Sequence, residues 1–255
     1  MFKRSAALVF AVIFCLCALS GCIRRKPTYD PVDETTAQFS VDTTIPEDTT
    51  SSPETTAEPV FDPNAPVEYK YQKYHIEVSL AAQIVYVYDL TDDGEKGRLV
   101  KAMICSTGRD DSPTPEQKWI ILSEEVKEYS SYRMQWLNNS STGQFMTRMW
   151  NISESDGVES YYWSSYLFHS APYSGMSSEK LKADEWNKLG TPASDGCIRL
   201  AVEDAKWIYT YVAPYSYVYT IKGEEDPELW AKLKRDPIPS DAVRDPTDVD
   251  KYPEE

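Results

Sequence analysis

Tyr74, Ile76, Val78 and Leu80 alternate with His75, Glu77 and Ser79, a two-residue period that predicts a half-buried strand. After Ala81-Ala82-Gln83 a second run of β-formers covers Ile84 to Tyr88, and Asp92-Asp93-Gly94 marks a turn. A third strand is expected over Leu99 to Cys105 and a fourth over Trp119 to Leu122. Residues 123–160 are rich in Ser, Asn, Met and Trp and show no clean period, so they read as a lid or one wall of a cleft. Order returns with a strand from Tyr161 to Phe168. A helix is expected over Ser178 to Leu189, with Leu181, Glu185, Trp186 and Leu189 near helical spacing and Gly190 as its stop. A strand follows from Cys197. Val202, Ala205, Ile208, Tyr209 and Val212 then mark one helix face, ended by Pro214, and Ser216 to Lys222 is a closing strand. The pattern is mainly β with a few helices.

Outside 67–223 the pattern carries no such periods. Residues 1–21 read as a targeting segment, with Lys3 and Arg4 ahead of fourteen apolar residues, Ala6 to Leu19, too few for a membrane span. Leu19-Ser20-Gly21-Cys22 resembles a bacterial lipobox, which implies a lipid on Cys22 and a chain held at the outer face of the cytoplasmic membrane. A cleaved soluble signal peptide and an uncleaved anchor are the competing readings. Residues 22–66 repeat an acidic-Thr-Thr unit at Glu34, Asp42, Asp48 and Glu54, with prolines and no glycine. Such a stretch cannot bury a core and reads as a tether. The acidic, proline-rich tail, 224–255, is expected to be mobile beyond Lys234.

The net charge is −15, and removing residues 1–21, charged only at Lys3 and Arg4, takes it to −17. No basic patch appears, which argues against nucleic-acid partners. Loss of residues 1–21 also removes Cys15 and Cys17 and leaves Cys22, Cys105 and Cys197, so the domain is not built on disulfides. Cys105 is expected to pack in its strand, although a Cys105–Cys197 bridge is conceivable outside the cell. Two histidines and scattered cysteines offer no metal-ligand spacing, and no cofactor is implied. His75 falls on the polar face of its strand and reads as exposed or at an edge. Trp136, Trp150 and Trp163 are read as core ahead of ligand stacking. Asn139 and Asn151 match a glycosylation pattern that is discounted in a bacterial chain. The domain is expected to be a monomer.

Ala193-Ser194-Asp195-Gly196-Cys197-Ile198-Arg199-Leu200 carries the candidate chemistry. If a strand starts here, Cys197 and Arg199 share one face, toward a cleft, and Ile198 and Leu200 enter the core. Gly196 permits a positive φ or a close approach just before the thiol. A cysteine nucleophile needs nearby positive charge and exposed amides; the plain alternative is a small buried hydrophobe. His169, in Leu167-Phe168-His169-Ser170-Ala171-Pro172-Tyr173, is the candidate base, against a histidine merely hydrogen-bonded in a loop.

Phe168-His169-Ser170, Asn187 to Ser194 and Gly196-Cys197-Ile198-Arg199-Leu200 together resemble the L,D-transpeptidase catalytic domain of the YkuD type. The resemblance extends over Tyr69 to Lys222 and includes Ile76 to Tyr88, Cys105-Ser106-Thr107-Gly108 and Glu203 to Trp207. It implies a β-sandwich-like fold and an enzyme acting on peptidoglycan stem peptides. Cys197 would attack the third residue of a tetrapeptide stem, D-Ala would leave, and a neighbouring amine would take the acyl group to give a 3→3 cross-link. His169 would move the proton, amides around Gly196 and Cys197 would hold the oxyanion, and Arg199 would fix a substrate carboxylate or the site's geometry. Ser194 would bond within the loop and Tyr173 would line the cleft. Two departures stand out: Asp195 replaces the usual His, and Thr114-Pro115-Glu116-Gln117 replaces Thr-Pro-x-Gly. Asp195 is expected to orient His169 or pair with Arg199 rather than face the sulfur. An L,D-carboxypeptidase and a non-enzymatic wall-binding lipoprotein remain the other readings.

Overall fold

A computed structural model describes residues 70–122, 133–136 and 143–249. The segments 1–21 and 22–66, Cys22 with them, lie outside the described residues.

Eleven strands and three helices are described. The strands are β1 (His75–Ser79), β2 (Ile84–Leu90), β3 (Lys96–Ile104), β4 (Gln117–Ile120), β5 (Arg133–Trp136), β6 (Gln144–Arg148), β7 (Trp150–Ser155), β8 (Val158–Tyr162), β9 (Leu167–Ser170), β10 (Ile198–Leu200) and β11 (Tyr217–Ile221). The helices are α1 (Ala183–Trp186), α2 (Val202–Tyr211) and α3 (Pro227–Leu233). One sheet has the order β3-β2-β1-β11-β4-β7-β8 and the other β10-β9-β6-β5. The fold is mainly β, with mixed sheets and a few short helices, as the sequence predicts.

The alternation in β1 buries Ile76 and Val78 while His75 and Glu77 face outward. Those apolar residues join Trp119 and Val218 from the same sheet, and Phe168 and Ile198 from the other, in one core. β1 lies between β2 and β11, so His75 is not at an edge. Its ring is half-buried, stacked on Tyr219 at 4.6 Å and 2.9 Å from Glu77 Oε1.

The aperiodic stretch before Tyr161 contains β5, β6, β7 and most of β8. β6 hides its period because all five residues are buried, with α2 packed against it. A strand covered on both faces does not alternate. Trp150 is buried and Trp136 is packed against the core, but Trp163 is exposed beneath the Arg148 guanidinium, contrary to the core reading. The strand expected over Tyr161 to Phe168 is two strands on different sheets, β8 and β9, separated by 163–166.

The helix expected over Ser178 to Leu189 shrinks to the single turn of α1. The backbone before it has tertiary partners: Leu181 N–H donates to Val243 O and Lys182 N–H to Pro172 O. Those bonds satisfy amides that a longer helix would have turned inward. The tail, expected to be mobile beyond Lys234, is bonded to the domain through its described residues, which run to 249. α3, capped by Asp226, sets Trp230 Nε1 on Gly190 O at 3.2 Å, and Asp245 is 2% exposed.

Candidate active site

Parallel pairing of β9 and β10 builds the site. The register sets Arg199 opposite His169 and Ile198 opposite Phe168. Ile198 and Leu200 are buried, and Arg199, in phase with Cys197, faces the other way. Cys197, Arg199 and His169 therefore line one cavity of about 520 Å³ together with Ser194, Asp195, Arg109, Glu185, Lys182 and Lys188.

The turn before the thiol is fixed by its own side chain. Ser194 Oγ donates to Cys197 O (2.6 Å) and accepts from Gly196 N–H (3.0 Å), and Thr114 Oγ1 donates to Gly196 O (2.8 Å). Gly196 has φ +112°, and a Cβ there would press on the Tyr166 ring at 2.8 Å. Only glycine meets both demands. Because its N–H is committed to Ser194, the Gly196 amide is not free to serve an oxyanion, which corrects that expectation and leaves Cys197 N–H.

His169 is 8% exposed. Its Nδ1 lies 2.6 Å from Ser170 O; a carbonyl only accepts, so Nδ1 carries the hydrogen and Nε2 holds the lone pair. Burial, followed by the Arg199 charge, lowers its pKa to about 4 against the upward pull of the Ser170 bond, and the resting ring is neutral. The Cys197 thiol donates to Ser165 O at 3.7 Å. Burial pushes its pKa up, Asp195 adds to that, and Leu167 N–H, Arg199 and Arg148 oppose it. The resting pair is thus thiol and imidazole, both uncharged.

Arg199 donates to Glu185 Oε2 and to Ala193 O (3.0 Å), while Lys188 takes Glu185 Oε1 at 2.6 Å. Asp195 pairs with Arg109, not with Arg199 or His169. The physical reason is reach: Asp195 sits at the exposed lip of the cavity, where Arg109 spans Asp195 and Asp111. Tyr173 does not line the cleft. It is fully buried, accepts from Gln144 Nε2 at 3.0 Å and meets Trp136 edge-on. Cys105 is buried and Cys197 half-buried; both are free, so the two form no bridge.

Residues 73–237 match the family model of the L,D-transpeptidase catalytic domain (YkuD). The chain belongs to that family. It is 28% identical over 162 residues to YciB, a candidate L,D-transpeptidase of Bacillus subtilis, covering 59% of this chain and 67% of that protein. Solved L,D-transpeptidases are similar at lower identity. The one from Mycobacterium smegmatis is 18% identical, with TM-score 0.39, over 58% of this chain and 58% of that one. One from Mycobacterium tuberculosis is 21% identical, with TM-score 0.36, over 58% and 57%. The chain spans less than two thirds of either solved chain.

Within this L,D-transpeptidase domain, several lining residues escape sequence reasoning. Gly143 sits directly against the His169 ring: an added Cβ would meet Nδ1, and would lie 2.9 Å from both Cγ and Ser170 O. Ser165 receives the thiol, and Arg109, Lys182, Glu185 and Lys188 supply the charged rim. Of these only Lys188 falls in a matched segment, Asn187 to Ser194. The pairing of β9 with β6 and β10 and the bond from Arg109 N–H to Ser194 O help bring these distant stretches together.

Proposed function

We propose that this protein is a peptidoglycan L,D-transpeptidase in which Cys197 is the nucleophile and His169 the base. The observation that carries the reading is that His169, on β9, and Cys197, immediately before the adjacent parallel strand β10, line one cavity. Cys197 Sγ–H passes its proton to His169 Nε2 as the sulfur attacks the carbonyl carbon of the third stem residue. Cys197 N–H receives the oxyanion. The imidazolium then protonates the amine of the departing D-Ala as the C–N bond breaks, leaving a thioester. An amine of a neighbouring stem attacks that thioester, His169 takes its proton, and the thiol is restored with a 3→3 cross-link formed. Uncharged resting partners fit this cycle, because charge separates only when substrate excludes water and presents the carbonyl. Arg199, held by Glu185, keeps a positive charge beside the sulfur.

The lipobox-like Leu19-Ser20-Gly21-Cys22 supports a chain lipidated at Cys22, tethered by 22–66, and working in the wall outside the cytoplasmic membrane. Incubation with purified tetrapeptide muropeptides, followed by mass spectrometry, tests the activity. Released D-Ala together with cross-linked dimers is expected, and both should vanish in Cys197→Ala. Release of D-Ala without dimers would replace transfer by hydrolysis. Turnover that survives Cys197→Ala would sink the assignment.

A further inference from the structure

The segment 238–249 lies beyond the residues matched to the family, yet it is bonded at five points to the elements that carry the candidate site. Ile238 exchanges two hydrogen bonds with the Asn187 side chain, at 2.8 and 3.0 Å. Val243 O accepts from Leu181 N–H at 2.9 Å. Asp245 Oδ2 accepts from Val202 N–H (2.9 Å) and Thr247 Oγ1 from Glu203 N–H (3.1 Å). Asp248 Oδ2 accepts from Gln144 Nε2 at 3.1 Å.

Two of these contacts bear on the chemistry. β10, which starts directly after Cys197, runs into the start of α2, whose first amides need acceptors. The residue at the cap is Ala201, which has no side-chain oxygen to offer, and Ala201 and Val202 are buried from water. Asp245 and Thr247 supply the missing acceptors from the far end of the chain. The Asp245 carboxyl is in turn braced by Thr247 N–H (2.8 Å) and Thr247 Oγ1 (2.7 Å). A carboxylate at this end also suits the helix dipole. The second contact reaches the histidine. Gln144, held by Asp248, donates its N–H to Ser170 Oγ at 2.8 Å, and its neighbour Gly143 backs the His169 ring.

We propose that residues 238–249 are a strap that sets the relative position of Cys197 and His169, with Asp245 a positioning residue on the cysteine side and Asp248 one on the histidine side. The inference rests on the transpeptidase reading only for its activity readout, because alkylation of the Cys197 thiol reports the same geometry without turnover. The test uses the full chain with Asp245→Ala, Asp245→Asn and Asp248→Ala. Each is followed by thermal unfolding, by kcat and KM for D-Ala release, and by the pH profile of iodoacetamide alkylation at Cys197.

Asp245→Ala should lower kcat tenfold or more at assay temperatures well below its unfolding, with KM little changed, and should shift the alkylation profile. Asp245→Asn keeps an acceptor for Val202 N–H and should recover to within about threefold of wild type. Asp248→Ala, which leaves the helix cap intact, should lower kcat while leaving the alkylation profile in place; it also keeps the test decisive if Asp245→Ala does not fold. Wild-type kcat and an unmoved profile across the folded variants would overturn the strap. Absence of D-Ala release from the wild-type protein would instead overturn the transpeptidase reading, and the alkylation profiles would still judge the strap.

Discussion

Gly143→Ala perturbs the candidate base without touching it. The added methyl would sit 2.9 Å from His169 Cγ and from Ser170 O, and closer still to Nδ1. Ordinary contact begins near 3.4 Å, so the ring must retreat by about 0.5 Å at Cγ and further at Nδ1. Gly143 is not among the glycines with positive φ, so the substitution tests space rather than backbone strain. Forcing a methyl into a packed site costs about 1–3 kcal/mol. Loss of the Nδ1–H bond to Ser170 O adds about 1 kcal/mol. A fall of roughly 5–15 °C in Tm is expected for a domain of this size. The rate should suffer more, because misplacement by about 1 Å costs on the order of a hundredfold. Stem-peptide turnover below the new Tm should therefore drop about 10- to 100-fold in kcat. A folded Gly143→Ala protein with wild-type kcat would show that the position of the His169 ring does not govern the reaction.

Other outcomes follow from the same geometry. The His169 pKa is about 4 when folded against 6.5 when unfolded, so the unfolded chain binds the extra proton between those values. About 3 kcal/mol of stability, complete above pH 6.5, should therefore be lost as pH falls toward 4. Denaturant titrations of His169→Gln should lack that share of the slope. Asp195 raises the Cys197 pKa, so Asp195→Asn should speed alkylation near neutral pH; slower alkylation would mean that release of Arg109 reshapes the lip. Glu185→Gln leaves the largely buried Arg199 without its carboxylate. It should destabilise the domain by about 3 kcal/mol in thermal or chemical unfolding.

The site was legible in the sequence where chemistry and backbone coincide. Gly196-Cys197-Ile198-Arg199 has a period of two that predicts which side chains face the cavity, and the structure follows it. Alternation also predicts β1, and a run of β-formers predicts β2, each to within a residue or two. What stayed hidden depends on partners distant in the chain. β6 is buried on every residue, so it shows no period. α1 loses its expected first turn to bonds from Pro172 and Val243. Asp195 finds Arg109, which no local pattern could nominate. The acidic composition of the tail reads as solvated, yet Asp245 is an internal acceptor for the Val202 amide, which Ala201 cannot serve.

The parallel register of β9 and β10 has a consequence for how such a protein can diversify. His169 and Cys197 are 28 residues apart in the chain, but the sheet, not the connection, fixes their separation. Doubling a flexible connection costs only about 0.6 kcal/mol. Within the excursion from 171 to 196, the largely exposed stretch 174–180 can therefore change length or charge while Ser194, Gly196 and Glu185 hold the turn before Cys197 and the Arg199 pair in place.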